Sequence, residues 1–331
     1  MILTNDQTTG DRIDRLMTVE IRPLSGGLPP GYVVPMYQIC RAHHGEPLSS
    51  LAARRLNDSL HPGDAVVIAT GFGDAPNLPH GETDGPVGAA VLARALVLAF
   101  GVRVLLVAEE AQTGPVRATA GVVQGDLGDG PAIATLGFPL GLEPGRAAAT
   151  ALMDQYRPSA VIFIERIGPS KEGFFHGVRG DCRGPEQVGH VYLLAGLARQ
   201  RGVLSIGVGD GGNEVGFGAV RDAITAVHPY GGKCLAGHPS GLVTATATDV
   251  IVCASVSNWG AYAIAAALAA LHGRPELLHA PETERRLIEA SVLAGARDGA
   301  TFRPDLAVDG IQWQGHTAFV GLLRCLVEVA C

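Results

Sequence analysis

The sequence predicts an α/β fold: a doubly wound, mostly parallel sheet with helices on both faces. Three observations predict it. Short β-branched apolar runs recur along the chain, each too uniformly apolar to leave one face in water, as expected of strands buried on both sides. Helix-length patterns separate them, giving a β–α rhythm. Each run also ends in polar or glycine-rich residues, and open α/β sheets bind ligands just outside the carboxyl ends of their strands.

Residues 1–30 read as an arm or loosely packed cap that ends in the turn-rich GGLPPG at 26–31. A helix is predicted over Leu48–Leu60, closed by His61-Pro62-Gly63. The predicted strands are Ala65–Ala69, Arg103–Ala108, Ala160–Ile164, Val203–Ile206 and Val250–Cys253. Further helices are expected over Val87–Phe100, Gly145–Tyr156, Glu186–Arg201, Ala261–Leu271, Glu282–Ala294 and Thr317–Val329. Residues 1–62 are thus an arm and helix packing on a continuous α/β domain, 63–331. Val250–Leu271 carries no charge and is long enough to span a bilayer. Ser255, Ser257, Asn258 and Gly260 interrupt it, and a buried strand, polar turn and buried helix explain it better.

With 331 residues the chain can bury a large core. Its net charge of −7 and the lack of a basic stripe argue against a nucleic-acid partner. Lys171 and Lys233 are the only lysines, leaving few candidates for a Schiff base to pyridoxal phosphate. Six cysteines without a C-x-x-C pair suggest neither structural zinc nor a secreted disulfide framework. The first twenty residues are polar and charged, so no secretory leader is expected and a cytoplasmic location is. No membrane partner is expected, and a homo-oligomer is left open.

The richest stretch is GVGDGGNEVGFG at 207–218, where six glycines surround Asp210, Asn213 and Glu214. Such glycine density lets backbone N–H groups, here those of Gly211 and Gly212, approach a ligand. The two carboxylates would repel a pyrophosphate, so a cationic amine, an ordered water or a divalent metal is the better match. TGFGD at 70–74, with Gly71, lacks the Gly-Lys-Ser/Thr ending of a P-loop. HGETDGPVGAA at 80–90 sets Glu82, Thr83 and Asp84 before a helix; Thr83 or Asp84 can simply cap it, which explains Glu82 less well. IERIGPSKEGFFHGVRGD at 164–181 gathers Glu165, Arg166, His176, Arg179 and Asp181. Arginine offers a planar fork for a carboxylate. His176 suits acid, base or ligand roles, although a lone histidine more often plays none of them. SVSNWGA at 255–261 adds Ser257 and Asn258 at a further strand end. ARDGA at 296–300, with Asp298, and AVDGI at 307–311 are a further acidic pair, or simply Asp-Gly turns.

Together these motifs resemble the D-glutamate cyclase family, specifically its C-terminal module. The pieces that carry the resemblance are TGF with GETDGPVGAA, IERIGP with FFHGVRGD, GVGDGGNEVGFG, TATATD with SVSNWGAYA, and ARDGA followed by VDG and His316. They span about Asp64 to His316. Ala300 and Phe302 stand where the family tends to carry valine and glycine, an exchange that would alter one pocket wall. The extra N-terminal domain of the animal enzymes is not expected in this chain. The resemblance implies a carbon–oxygen lyase that converts D-glutamate to 5-oxo-D-proline and water, with a small acidic amino acid as substrate. No cofactor is required by the sequence, and a divalent cation is compatible with it.

The residues suit that chemistry. Asp210, Glu214, Asn213, His176 and Glu165 are the candidates for proton transfer. Gly71, Glu82, Thr83, Asp84, Arg166, Arg179, Asp181, Gly211, Gly212, Ser257, Asn258 and Asp298 are the candidates for substrate binding. Asp210 or Glu214 would take the proton of the substrate ammonium, Arg166 or Arg179 would clamp a carboxylate, and His176 would protonate the departing oxygen. The rival readings are a metal-dependent hydrolase or lyase of another small acid, with Glu82, Asp84, Asp210 and Glu214 as ligands, and a non-catalytic binder of an acidic metabolite.

Overall fold

In the computed structural model, which describes residues 5–23, 29–128 and 133–331, six strands form one parallel sheet. They are β1 (Ala65–Thr70), β2 (Arg103–Glu109), β3 (Ile133–Phe138), β4 (Ala160–Ile164), β7 (Leu204–Gly209) and β8 (Val250–Cys253). Two short pairs, β5 (Phe175–His176) with β6 (Cys182–Arg183) and β9 (Ala307–Val308) with β10 (Ile311–Gln312), stand apart from it. The sheet order is β3-β2-β1-β4-β7-β8. The chain therefore winds outward from β1 in one direction and from β4 in the other, and β1/β4 is the topological switch point where open α/β sheets place their sites.

Alternate residues of the strands serve two helix layers. Val66, Ile68, Val104, Leu106, Ile162 and Val208 pack beneath the layer that contains α3 (Leu48–Ser59), α4 (Pro86–Phe100) and α9 (Ser257–His272). Val67, Ala69, Leu105, Val107, Val161 and Phe163 pack against α6 (Leu142–Tyr156) and α7 (Leu193–Arg201). This two-sided burial is the physical reason the strands carry no polar alternation. The stretch 250–271 is β8, a polar turn and the buried start of α9, as its composition requires. Among the described residues, no helix is long and apolar enough to cross a membrane.

The predicted helices are present with shifted ends. The largest shift is at α7, which begins at Leu193 because Pro185–Gln187 makes a separate single turn of 3-10 helix. The elements not anticipated include α1 (Asn5–Met17), α2 (Val33–His44), α5 (Thr113–Gln124), α8 (Arg221–Val227), β3 and the two short pairs β5–β6 and β9–β10. Residues 5–17 are not a loose arm, since Ile13 and Met17 are fully buried. Part of the GGLPPG turn, residues 26–28, lies outside the described residues. Asp14 of α1 joins the layers: its buried carboxylate accepts the Leu48 and Ser49 N–H groups at 2.7 and 3.2 Å. It thereby supplies α3 with the anion that a helix start favours.

Candidate active site

The carboxyl ends of β1, β4, β7 and β8 converge on one cavity of about 440 Å³. TGFGD and the glycine-rich loop both reach it, through Phe72, Asp74, Asp210, Asn213 and Glu214. Its wall also contains Glu82, Glu165, Arg179 and Asp181.

Two helix starts are built to bring these loops together. The Asn258 side-chain oxygen accepts the N–H groups of Gly85 and Gly88 at 2.9 and 2.6 Å, at the beginning of α4. In return, the Asp84 carboxylate accepts the N–H groups of Ser257 and Asn258 at 2.9 and 2.8 Å, at the beginning of α9. The close approach needs glycine at 88, where a Cβ would stand 2.8 Å from the Asn258 Cα. Gly85 itself takes φ +94°, a region L side chains rarely adopt. Asp84 and Asn258 thus have the capping role, and neither lines the cavity. Thr83 is committed likewise, its hydroxyl donating to the Ala307 carbonyl at 2.8 Å.

The acidic centre is Glu165, Asp210 and Glu214. One oxygen from each lies within 4.8 Å of the others, and Asp84, Asp210 and Asp309 form an overlapping trio of the same kind. Glu165 accepts the Ser257 hydroxyl at 2.5 Å. One Glu214 oxygen accepts the Gly211 N–H at 2.9 Å, while the other finds no hydrogen-bond donor among the described residues. Burial is the main cause that raises the pKa values of Glu82, Glu165 and Asp210 well above the carboxylate range, and their negative neighbours add to it. Asp84 and Asp309 are each pushed up to about 7, again first by burial. Carboxyl groups this close cannot all ionise, so the cluster holds protons near neutral pH.

A cation enters the cluster. Arg22, from the stretch after α1, pairs with Asp210 and also bonds the Ser255 carbonyl, and it lies 2.9 Å from Asp309. Sequence reading missed it because nothing local marks an arginine whose partners lie hundreds of residues away. Asp309, half of the acidic pair that could also be a simple turn, takes φ +55° and lines the cavity. Arg183 was also missed, two residues past the quoted motif. It lies under Phe72, 4.4 Å from the ring centroid, and bonds Asp74 and Asp181 at 2.9 and 3.2 Å through one nitrogen. Its Nε and Nη1 have no hydrogen-bond partner among the described residues, although both are buried.

Several expected binding residues have other work. Arg166 does not line the cavity. Its buried guanidinium pairs with Glu109 and donates to the carbonyls of Gly71 and Gly189 at 2.8 Å each. It stitches the ends of β2, β1 and β4, which corrects its expected role as a clamp. Gly71 contributes that carbonyl and lies at φ +88°. Asp298 accepts the N–H groups of Thr301 and Gly310 at 3.0 and 2.7 Å and so shapes a turn, away from the cavity lining. Gly212, at φ +86°, packs near Ile224. His176 also lies outside the lining: its carbonyl accepts the Asn213 amide at 2.9 Å and its ring points to Cys182 and Cys234. It is therefore not placed to protonate a leaving oxygen. Arg179 does line the cavity, 5.7 Å from the Phe302 ring, and Ala300 and Phe302 line it too.

A family model described as D-glutamate cyclase-like, C-terminal, matches residues 37–324. Mitochondrial D-glutamate cyclase of Homo sapiens is 31% identical over 225 residues, covering 65% of this chain and 34% of that protein. The chain thus spans about a third of the length of this curated relative.

Proposed function

We propose, from its membership of the D-glutamate cyclase-like, C-terminal family, that this chain converts D-glutamate to 5-oxo-D-proline and water. The observation that carries this reading is the buried carboxyl trio Glu165, Asp210 and Glu214, with raised pKa values, on the wall of a cavity that also presents Arg179 and Arg183.

Lactam closure joins the α-nitrogen to the carbon of the γ-carboxyl group and expels one of that group's oxygens. The ammonium loses two protons, and both leave with that oxygen as water. The site therefore needs a carboxylate to accept a proton and a neutral carboxyl to donate one. A cluster that shares protons near neutral pH supplies both forms. Asp210 and Glu214 take the ammonium proton, and Arg22 holds Asp210 in place. Glu165, with its pKa raised well above the usual range, is the proton donor to the departing oxygen. Asp309, pushed up to about 7 and so partly ionised near neutral pH, adds negative charge that draws the ammonium in. Arg179 and Arg183, both on the cavity wall, receive a substrate carboxylate, for which the guanidinium fork is well shaped. General acid–base assistance of this kind contributes ~10²–10⁴-fold.

Proton NMR of D-glutamate incubated with the purified chain tests this reading. Ring-proton signals should grow at the expense of open-chain signals. Unchanged spectra at high protein concentration would count against it.

The two overlapping carboxylate trios favour a second reading, in which a hard divalent cation sits among these oxygens and activates water on another small acid. Activity abolished by a chelator and restored by magnesium or manganese would support it; activity indifferent to chelation would not.

A further inference from the structure

The hairpin β5–β6 places His176 opposite Cys182. Its connecting turn closes onto residues 233–235, where the Leu235 N–H donates to the Gly180 carbonyl at 2.8 Å. The approach is tight, since a Cβ at Gly180 would meet the Lys233 carbonyl at 3.0 Å. Cys234 is thereby brought to Cys182. One imidazole nitrogen of His176 and the two sulfurs all lie within 4.8 Å of one another. His176 is 0% exposed, yet neither Nδ1 nor Nε2 has a hydrogen-bond partner among the described residues. A buried polar group left unpaired is costly, so the ring is poised to take a ligand.

We propose that His176, Cys182 and Cys234 form a site for a thiophilic divalent cation, zinc by its donor set, which fastens the β5–β6 hairpin to residues 233–235. Zinc bonds thiolate at about 2.3 Å and imidazole at about 2.0–2.1 Å. The three donors need only draw together by roughly 1 Å to meet one tetrahedral ion. Three protein ligands leave the fourth position open. Two thiolates neutralise the dication, which limits the cost of burying it, and the two thiol protons pass to solvent on binding. Burial lowers the His176 pKa, so the ring is the neutral form that ligates. Without the ion, burial and the neighbouring Cys234 push the Cys182 thiol up to about 11; a bound dication reverses that.

The position gives the ion a purpose. Gly177, Val178, Arg179 and Asp181, between the two strands of the hairpin, line the cavity, and so does Leu235 on the other side of the junction. The ion would set the wall that carries Arg179. Its sulfur and nitrogen donors also separate it chemically from the oxygen-rich carboxylate cluster.

Cobalt(II) titration of the reduced, metal-stripped full chain tests the site. One equivalent should produce thiolate-to-cobalt charge-transfer absorption and the visible bands of tetrahedral cobalt, both bleached by one equivalent of zinc. Cys182→Ser and Cys234→Ser should each lose much of the charge-transfer intensity, and His176→Gln should weaken cobalt binding at least ~10-fold. Asp210→Asn should keep the spectrum, which separates this site from the carboxylates. Circular dichroism identifies variants that fold, and because Cys182 is partly exposed, its serine variant carries the test if His176→Gln does not fold. Absence of the band in the reduced, folded protein would overturn the proposal, as would a band unchanged in both serine variants. A Cys182–Cys234 disulfide that forms without any cobalt uptake after reduction would overturn it as well.

Discussion

Arg22 and Asp210, 188 residues apart, form an ion pair inside the cavity. The N-terminal stretch is thus part of the site, and its guanidinium is the counter-charge to the most crowded carboxylates. Arg22→Ala removes that charge, so the Asp210 and Asp309 carboxyls hold their protons to higher pH. The ionised-carboxylate limb of the pH–rate profile should move toward higher pH, with Arg22→Lys in between. A profile identical to the parent's would mean that Arg22 only packs.

Asp210→Asn and Glu214→Gln keep shape and remove ionisation. Each should fold and lose at least ~10²-fold in turnover. Paired turnover assays and melting curves check this, and unchanged turnover in a folded variant would remove that residue from the chemistry.

The two arginines of the sequence motif should now separate. Arg179→Lys keeps charge without the fork and should weaken binding of the acidic substrate, Arg179→Ala should weaken it further, and stability should change little. Arg166→Met leaves Glu109 buried without its cation and should destabilise the fold by about 3–5 kcal/mol. Adding Glu109→Gln should recover part of that loss. Calorimetric affinities beside denaturant melts distinguish the two patterns.

Stability should depend on pH through the raised carboxyls. Asp84 and Asp309 have ordinary values of 3.8 and are pushed up to about 7 in the fold. Between those pH values the folded chain binds more protons than the unfolded one, so stability falls as pH rises. This contribution is fully present below pH 4 and gone above about 7. Asp309→Asn should flatten the slope in that window. Denaturant midpoints measured across it that keep the parent's slope would contradict the shift.

Much of the fold was legible because two-sided burial leaves an unambiguous mark: Val66–Ala69 and Val161–Ile164 have no polar alternation, and each ends at a glycine or a charge. The edge strand β3 left no such mark, since Ile133–Leu136 are only half-buried. The polar α1 hid the buried Ile13 and Met17 for a similar reason. At the site, the glycine-rich loop announced Asp210 and Glu214 by the improbability of its composition. Asp84 was ambiguous because a helix cap and a ligand contact demand the same residue types, and Asn258 proved to be its reciprocal cap. Arg166 was misread since its partner Glu109 comes from β2, across β1, and sequence proximity carries no trace of that neighbour. Arg22 had no local signal at all.

The most direct test uses D-glutamate labelled with heavy oxygen in its γ-carboxylate, and L-glutamate as control. Mass spectrometry should show the D-isomer losing one labelled water, with one label retained in the lactam carbonyl, and no loss in the Asp210→Asn variant. An unchanged D-glutamate mass after prolonged incubation with folded protein would contradict the account, and so would equal conversion by the Asp210→Asn variant.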